Sequence, residues 1–425
     1  MATKAKAPSP PKPNEPLPLT VDNQPTVEVY PGELHDPRDK ECGFDILEGY
    51  QRFNQSNDIY SRGRWDERIR SEKVFNWFRG MFMSGINIKT REGYTTKDAA
   101  LKSGGWVLSN LTVERSVSKG RGDGYQDDVE VFFPPAKERM EVASPEQMAE
   151  EVKRACKFYG ADMVGITATD MRWHYSHRFK AKGLSEKPND IPPELVNTIV
   201  IGKSMDHNII KTYPSTTASA AVGLGYSVDA HLVQCVATFI HAMGYRAVAS
   251  MNDTAMRVPY AIQAGLGEYG RHSMVINPDY GPRFRLAQIF TDLPLAHDGP
   301  MRFGVKEFCD VCRRCSDECP PRAIPAGEPQ TEAINQSNVV GIRKWSVDAE
   351  KCFKFWCNQG TECGICIRVC PYNKDTSTYG KLLYYRLWRR LAGSRLRRLA
   401  LWLDIKLGFG AREEPNWWWR GGKSG

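Results

Sequence analysis

A layered α/β domain followed by a cysteine-rich domain is the fold class that this sequence predicts, and three observations carry it. Capped helical patterns alternate with short apolar runs from Ser144 to about residue 300. Nine of the twelve cysteines fall into two short clusters behind that stretch, enough for eight ligands and one thiol to spare. At 425 residues, with 41% hydrophobic and 25% charged side chains, the chain has the size and composition of one large or two ordinary globular domains.

The elements follow in order. The first twenty residues carry six prolines and almost no large apolar groups, so residues 1–30 read as a disordered N-terminus. Residues 31–143, aromatic and charged with weak periodicity, read as an ordered but irregular region on the core. From Ser144 the signals sharpen. "SPEQMAEEVKRACKFYG" has Ser144 as N-cap, Pro145 in the first turn, Gln147 to close a capping box and Gly160 as a stop. "DMVGIT" and "NTIVIGKSM" read as short buried strands. "DAHLVQCVATFIHAMG" reads as a second helix, with Leu232, Val236, Phe239, Ile240 and Met243 on one face and Gly244 at its end. "RAVAS" is the next strand, and "SMVIN" and "RFRLAQIF", joined across "PDYG", read as a hairpin. The core therefore spans 144–300, the cysteine-rich domain 301–380 and a basic tail 381–425.

In "CDVCRRCSDECP", Cys309, Cys312, Cys315 and Cys319 precede Pro320 in the C-x2-C-x2-C-x3-C-P run of bacterial ferredoxins. Three thiolates at short spacing wrap one face of an iron–sulfur cubane, and the fourth reaches the neighbouring cubane. The second run closes with Cys363, Cys366, Cys370 and Pro371, and its upstream ligand is either Cys352 or Cys357. By the crossed rule Cys309, Cys312, Cys315 and Cys370 share one [4Fe–4S] cluster. Cys319, Cys363, Cys366 and one of the two upstream cysteines share the other. Zinc ribbons also use paired C-x2-C elements, but they need only four ligands per site and no proline after the last cysteine. Cys42, Cys156 and Cys235 read as structural, and His174 and His177 as packing residues beside aromatics.

Two cubanes carry single electrons and perform no reaction by themselves. A pure electron carrier needs a small fraction of this chain, so the long region before the clusters implies a second cofactor and a substrate site. No P-loop is present, no G-x-G-x-x-G follows a strand, and "GLGEYG" is too weak for a nucleotide loop.

"LGYS", "HAMGYRAVASMNDT", "AGLGEYGRHSMVINPDYGPRFRLAQIFTDLPL", "CDVCRRCSDECPPRAI" and "CFKFW…CGICIRVCPYNK" resemble, in this order, the reductive dehalogenases, from about residue 144 to 380. The resemblance implies an α/β (α+β) nitroreductase-like cobalamin-binding core followed by a bacterial ferredoxin-like domain with two [4Fe–4S] clusters. It places a proton-donating tyrosine at Tyr226, an asparagine at Asn252 and an arginine at Arg285. The helix and strand readings put Tyr226 just before a helix, Asn252 just after a strand and Arg285 near the start of one. The family's cysteine followed four residues later by tryptophan falls on Cys352 with Trp356, which leaves Cys357 as an extra thiol. Gly265, Gly267 and Gly270 fall in the loop assigned to the corrinoid. A phenol near its ordinary value of ~10 is a reluctant acid, and a cation beside it stabilises the tyrosinate, the role expected of Arg285.

The expected substrate is a small organohalide and no nucleic acid. The resemblance also implies an external electron donor, ferredoxin-like or a quinol-linked membrane protein. Respiratory relatives are exported through a twin-arginine signal and catabolic ones carry a fused reductase domain, and neither is legible in this sequence. No apolar run spans a bilayer and no signal is readable, so a cytoplasmic location is expected as written. Removal of an export signal would instead place the protein on the outer face of the inner membrane. An epoxyqueuosine reductase-like enzyme acting on transfer RNA is the alternative, favoured by the +8 charge. A ferredoxin-type carrier is the third reading. In the tail, "KLLYYRLWRRLAGSRLRRLALWLDIKLGFG" mixes leucine and tryptophan with arginine. It reads either as a helix laid over the domain or as a peripheral contact with an anionic membrane. "NWWWR" reads as an anchor for the chain end.

Overall fold

Two eight-residue strands form the middle of a four-stranded sheet. The computed structural model describes residues 28–30, 32–82, 85–118, 133–180 and 183–422, so most of the N-terminal stretch read as disordered lies outside the described residues. The strands are β1 (Met163–Ala168), β2 (Asn197–Ser204), β3 (Ala247–Ser250) and, further on, β6 (Phe284–Thr291). Their order is β1-β2-β6-β3 with every pairing antiparallel. The alternation of helices and strands therefore builds an α+β sheet rather than a parallel one.

Helices cover both faces. Helix α4 (Pro145–Phe158) begins where Ser144 Oγ accepts from the Gln147 backbone N–H at 3.2 Å. The expected capping box is only half formed, because Gln147 Nε2 donates to Glu151 Oε1 at 2.7 Å instead. Helix α5 runs from Thr216 to Ala242, and Val152, Leu232, Val236, Ile240, Ala287 and Ile289 share one fully buried core between α4, α5 and the sheet. Helix α6 (Arg257–Gln263) closes the opposite face with Trp173, Tyr260 and Phe290. His174 packs there, 4.7 Å from the Phe290 ring, as the sequence reading of that residue expected.

Three expectations are corrected. Residues 31–143 are not irregular: they hold α1 (Ile59–Trp65), α2 (Glu72–Phe82) and α3 (Thr96–Ser118). Helix α5 begins well upstream of Asp229, where its apolar pattern becomes legible, so Tyr226 lies inside the helix and not before it. The upstream run "SAAVGLGY" carries two glycines, and both serve close packing rather than a break. A Cβ on Gly223 would sit 2.6 Å from Trp106 Nε1 of α3, and one on Gly225 would collide with the Arg285 stem. Finally, "SMVIN" and "RFRLAQIF" do not pair. Strand β5 (Val275–Ile276) pairs with β4 (Glu268–Tyr269), while β6 pairs along its whole length with β2 and over Gln288–Thr291 with β3.

The cysteine-rich segment and the tail share a core. Helix α8 (Ala349–Gln359) carries Cys352 and Cys357 and packs Phe353 against Val74 and Trp77 of α2. Helix α7 (Val305–Val311) and helices α9 (Tyr379–Ala392) and α10 (Arg397–Lys406) bury Phe308, Tyr372, Tyr385 and Trp388 together with Cys309, Cys312 and Cys370. Asp404 of α10, fully buried, pairs with both Lys374 and Arg314. The tail therefore lies over the domain. The final helix α11 (Pro415–Trp419) is anchored on the body, with Trp419 Nε1 donating to Asp98 Oδ1 at 2.8 Å.

Candidate active site

Tyr226 is held in the middle of α5 by contacts on three sides. Its ring stacks on Trp106 at 5.0 Å, and the Arg285 guanidinium carbon lies 4.2 Å from the ring centroid. Its hydroxyl accepts from Asn252 Nδ2 at 3.2 Å. The three residues placed by resemblance come from a helix, the loop after β3 and the start of β6, and the fold brings them together.

They face a cavity of about 520 Å³, whose wall also holds Tyr60, Trp77, Cys319, Cys352, Cys363 and Cys366. A second cavity of about 560 Å³ is lined by Phe44, Trp173, Met256 and Trp345 among others. Ser273, Met274, Arg285 and Val347 line both, so the two spaces adjoin. Together they are large, mostly apolar and furnished with a few polar groups, the character expected of a cofactor and small-substrate site. Burial pushes the Tyr60 and Tyr213 phenols well above their ordinary value.

The cysteines sort into two sets. Burial first, and then Cys309, Cys370 and Cys312, with Cys366 of the other set last, pushes the Cys315 thiol up. Burial and then Cys363 and Cys319 push Cys352 up to about 12. Cys366 is raised by burial and by Cys363, Cys352 and Cys319. Cys357, also raised by burial to about 12, has Glu362 as its charged neighbour and no thiol. Buried thiols crowded in this way resist ionising unless a cation joins them, which is what iron supplies. Among the described residues no three His, Cys, Asp or Glu converge as they would on one ion. A cubane asks for no such convergence, because each of its four thiolates binds a different iron.

Gly265, Gly267 and Gly270 are packed against the chain itself. A Cβ on Gly265 would lie 2.5 Å from Gly299 O, and one on Gly270 would lie 2.8 Å from the Ile276 side chain. Glu268 and Tyr269, between them, line the larger cavity. Sequence reasoning missed Trp106, Tyr60 and Arg271. Arg271 is buried and donates through Nη2 to Cys309 O at 2.8 Å, tying the core to the first cysteine set. The pair Gly104-Gly105 before Trp106 was the available signal for a close helix crossing.

Residues 181–295 match the family model described as reductive dehalogenase subunit, and residues 308–373 match the 4Fe-4S double cluster binding domain. The chain is 30% identical over 390 residues to the tetrachloroethene reductive dehalogenase of Sulfurospirillum multivorans, covering 84% of this chain and 75% of that protein. The chain belongs to the reductive dehalogenase family. A second family member, the tetrachloroethene reductive dehalogenase of Desulfitobacterium hafniense, is 36% identical over 269 residues, 54% of this chain and 49% of that one. A solved catabolic reductive dehalogenase superposes with a TM-score of 0.66 at 23% identity, over 86% of this chain and 48% of that one. The chain thus spans about half the length of several relatives it matches. The epoxyqueuosine reductase of Cyclobacterium marinum is 32% identical over 135 residues, 28% of this chain and 37% of that protein.

Proposed function

We propose that this chain removes halide reductively from a small organohalide, with a corrinoid in the adjoining cavities and two [4Fe–4S] clusters on the cysteine sets. The net reaction takes two electrons and one proton, replaces the carbon–halogen bond by a carbon–hydrogen bond and releases halide. The observation that carries the proposal is that Tyr226, Asn252 and Arg285 share one cavity with Cys319, Cys352, Cys363 and Cys366. The bound corrinoid supplies the strong reductant for carbon–halogen cleavage, and the protein supplies orientation, electrons and the proton.

Asn252 donates to the Tyr226 oxygen, which leaves the phenol hydrogen free to point into the cavity. Tyr226 gives that proton to the carbon, and Arg285 over its ring stabilises the tyrosinate left behind. Apolar walls from Trp77, Phe78 and Met81 keep water from competing as proton source. Cys309, Cys312, Cys315 and Cys370 hold one cluster, and Cys319, Cys352, Cys363 and Cys366 the other. Glu268 and Tyr269 put the glycine loop at the wall of the larger cavity, in keeping with a corrinoid there. The antiparallel sheet between helices supports the nitroreductase-like description of the core.

An external donor feeds the first cluster. The α9–α10 hairpin exposes Leu387, Leu399, Trp402 and Ile405 beside Arg386, Arg390, Arg395 and Arg398, a face suited to an anionic bilayer. Among the described residues no helix is long and apolar enough to cross a membrane. The deciding experiment is anaerobic reconstitution with cobalamin and iron–sulfide. About eight iron and one cobalt per chain are expected, followed by halide release from an organohalide panel and none of the transfer-RNA reaction. Eight iron without cobalt would overturn the proposal and leave an electron carrier.

A further inference from the structure

Asp229 follows Tyr226 by one turn of α5 and is fully buried, with neither carboxylate oxygen partnered. It lines neither cavity, so it does not touch substrate. The cations acting on it are Arg285 first and Arg257 second. In return, Asp229 is the carboxylate acting most strongly on Arg285, whose Nε is sealed and without a partner. The Arg285 stem rests on Gly225, four residues before Asp229 and therefore on the same face of α5. An unpartnered buried carboxyl is costly, and an apolar side chain of its size would fill the place without that cost.

We propose that Asp229 is a positioning residue that sets the charge on the Arg285–Tyr226 pair. Ionised, it offsets Arg285 and weakens the pull of that cation on the tyrosinate. Neutral, it leaves the full charge of Arg285 to the phenolate. The inference rests on the reading of Tyr226 as proton donor. Burial pushes Asp229 up to about 6, so its charge changes close to neutral pH. The other groups facing this region are Arg257 on α6, Tyr60 on α1 and Tyr213 ahead of α5, and Arg257 also acts on Asp58 and Tyr175.

Two measurements test it on the full chain. One is the pH profile of halide release by the reconstituted enzyme. The other is the tyrosinate absorbance titration before reconstitution, with Tyr226 isolated by difference against Tyr226→Phe. Asp229→Asn is expected to move the Tyr226 transition and the basic limb of the profile about one pH unit downward, with iron and cobalt content unchanged. Asp229→Leu, which removes the charge without leaving a polar group to bury, is expected to do the same where the amide variant folds poorly. Asp229→Glu should keep the original limb. An unmoved tyrosinate transition in both charge-removing variants overturns the proposal. A moved transition with halide release indifferent to Tyr226→Phe would instead sink the proton-donor reading and leave the coupling standing.

Discussion

The two cysteine sets follow one spacing rule in opposite surroundings. Cys309, Cys312 and Cys370 are packed under Phe308, Tyr372 and Trp388, and the tail closes over them through Asp404, Lys374 and Arg314. Cys319, Cys352, Cys363 and Cys366 open onto the cavity of Tyr226. Under the proposed function the difference would give the wire a direction, with electrons entering on the hairpin side and leaving on the tyrosine side. It also separates two kinds of damage, loss of delivery and loss of chemistry.

The largest expected effect comes from breaking the cavity-side set. Cys352→Ser should lower iron from about eight to about four per chain and abolish halide release, whereas Cys357→Ser should keep both clusters. Iron assay and electron paramagnetic resonance check this, and the reverse pattern would reassign the ligand. Next comes the chemistry alone. Tyr226→Phe should keep iron and cobalt while halide release falls about 10²- to 10⁴-fold, the usual worth of a positioned acid. Unchanged turnover would remove Tyr226 from the mechanism.

On the insulated side the expected damage is to stability. Asp404→Ala leaves Lys374 buried without its carboxylate, at a cost of about 3–5 kcal/mol. Denaturant unfolding of the reconstituted chain measures it, and a loss under about 1 kcal/mol would show that the tail is not needed to seal the first set.

These effects mirror what the sequence made legible. Spacing alone found both cysteine runs, because ligand geometry is written locally, but it could not choose between Cys352 and Cys357. The capped helix at Ser144 and the strands β1, β2 and β3 were readable from caps and apolar runs. The start of α5 was not, since Gly223 and Gly225 look like breakers until Trp106 and Arg285 are seen against them. The pairing of β6 was hidden by distance: its partners lie far along the chain, and the nearby "PDYG" turn pointed to the wrong one. Asp229 carried no signal at all, because burial without a partner is a property of the assembled fold.

The smallest effect should come from the outer face of the hairpin. Leu387 of α9 and Leu399, Trp402 and Ile405 of α10 are about half exposed, an unusual state for large apolar groups gathered on two adjacent helices. Burying one such side chain in a bilayer interface gains about 1.5–3 kcal/mol, and each nearby arginine adds about 1 kcal/mol on an anionic surface. Trp402→Ser should therefore weaken binding to phosphatidylglycerol vesicles by roughly tenfold or more while halide release from a chemical reductant stays unchanged. Binding should also fall with added salt and be weak on phosphatidylcholine alone. Equal binding by the variant, or equal binding to both lipids, would leave the hairpin as a lid over the first cysteine set and nothing more.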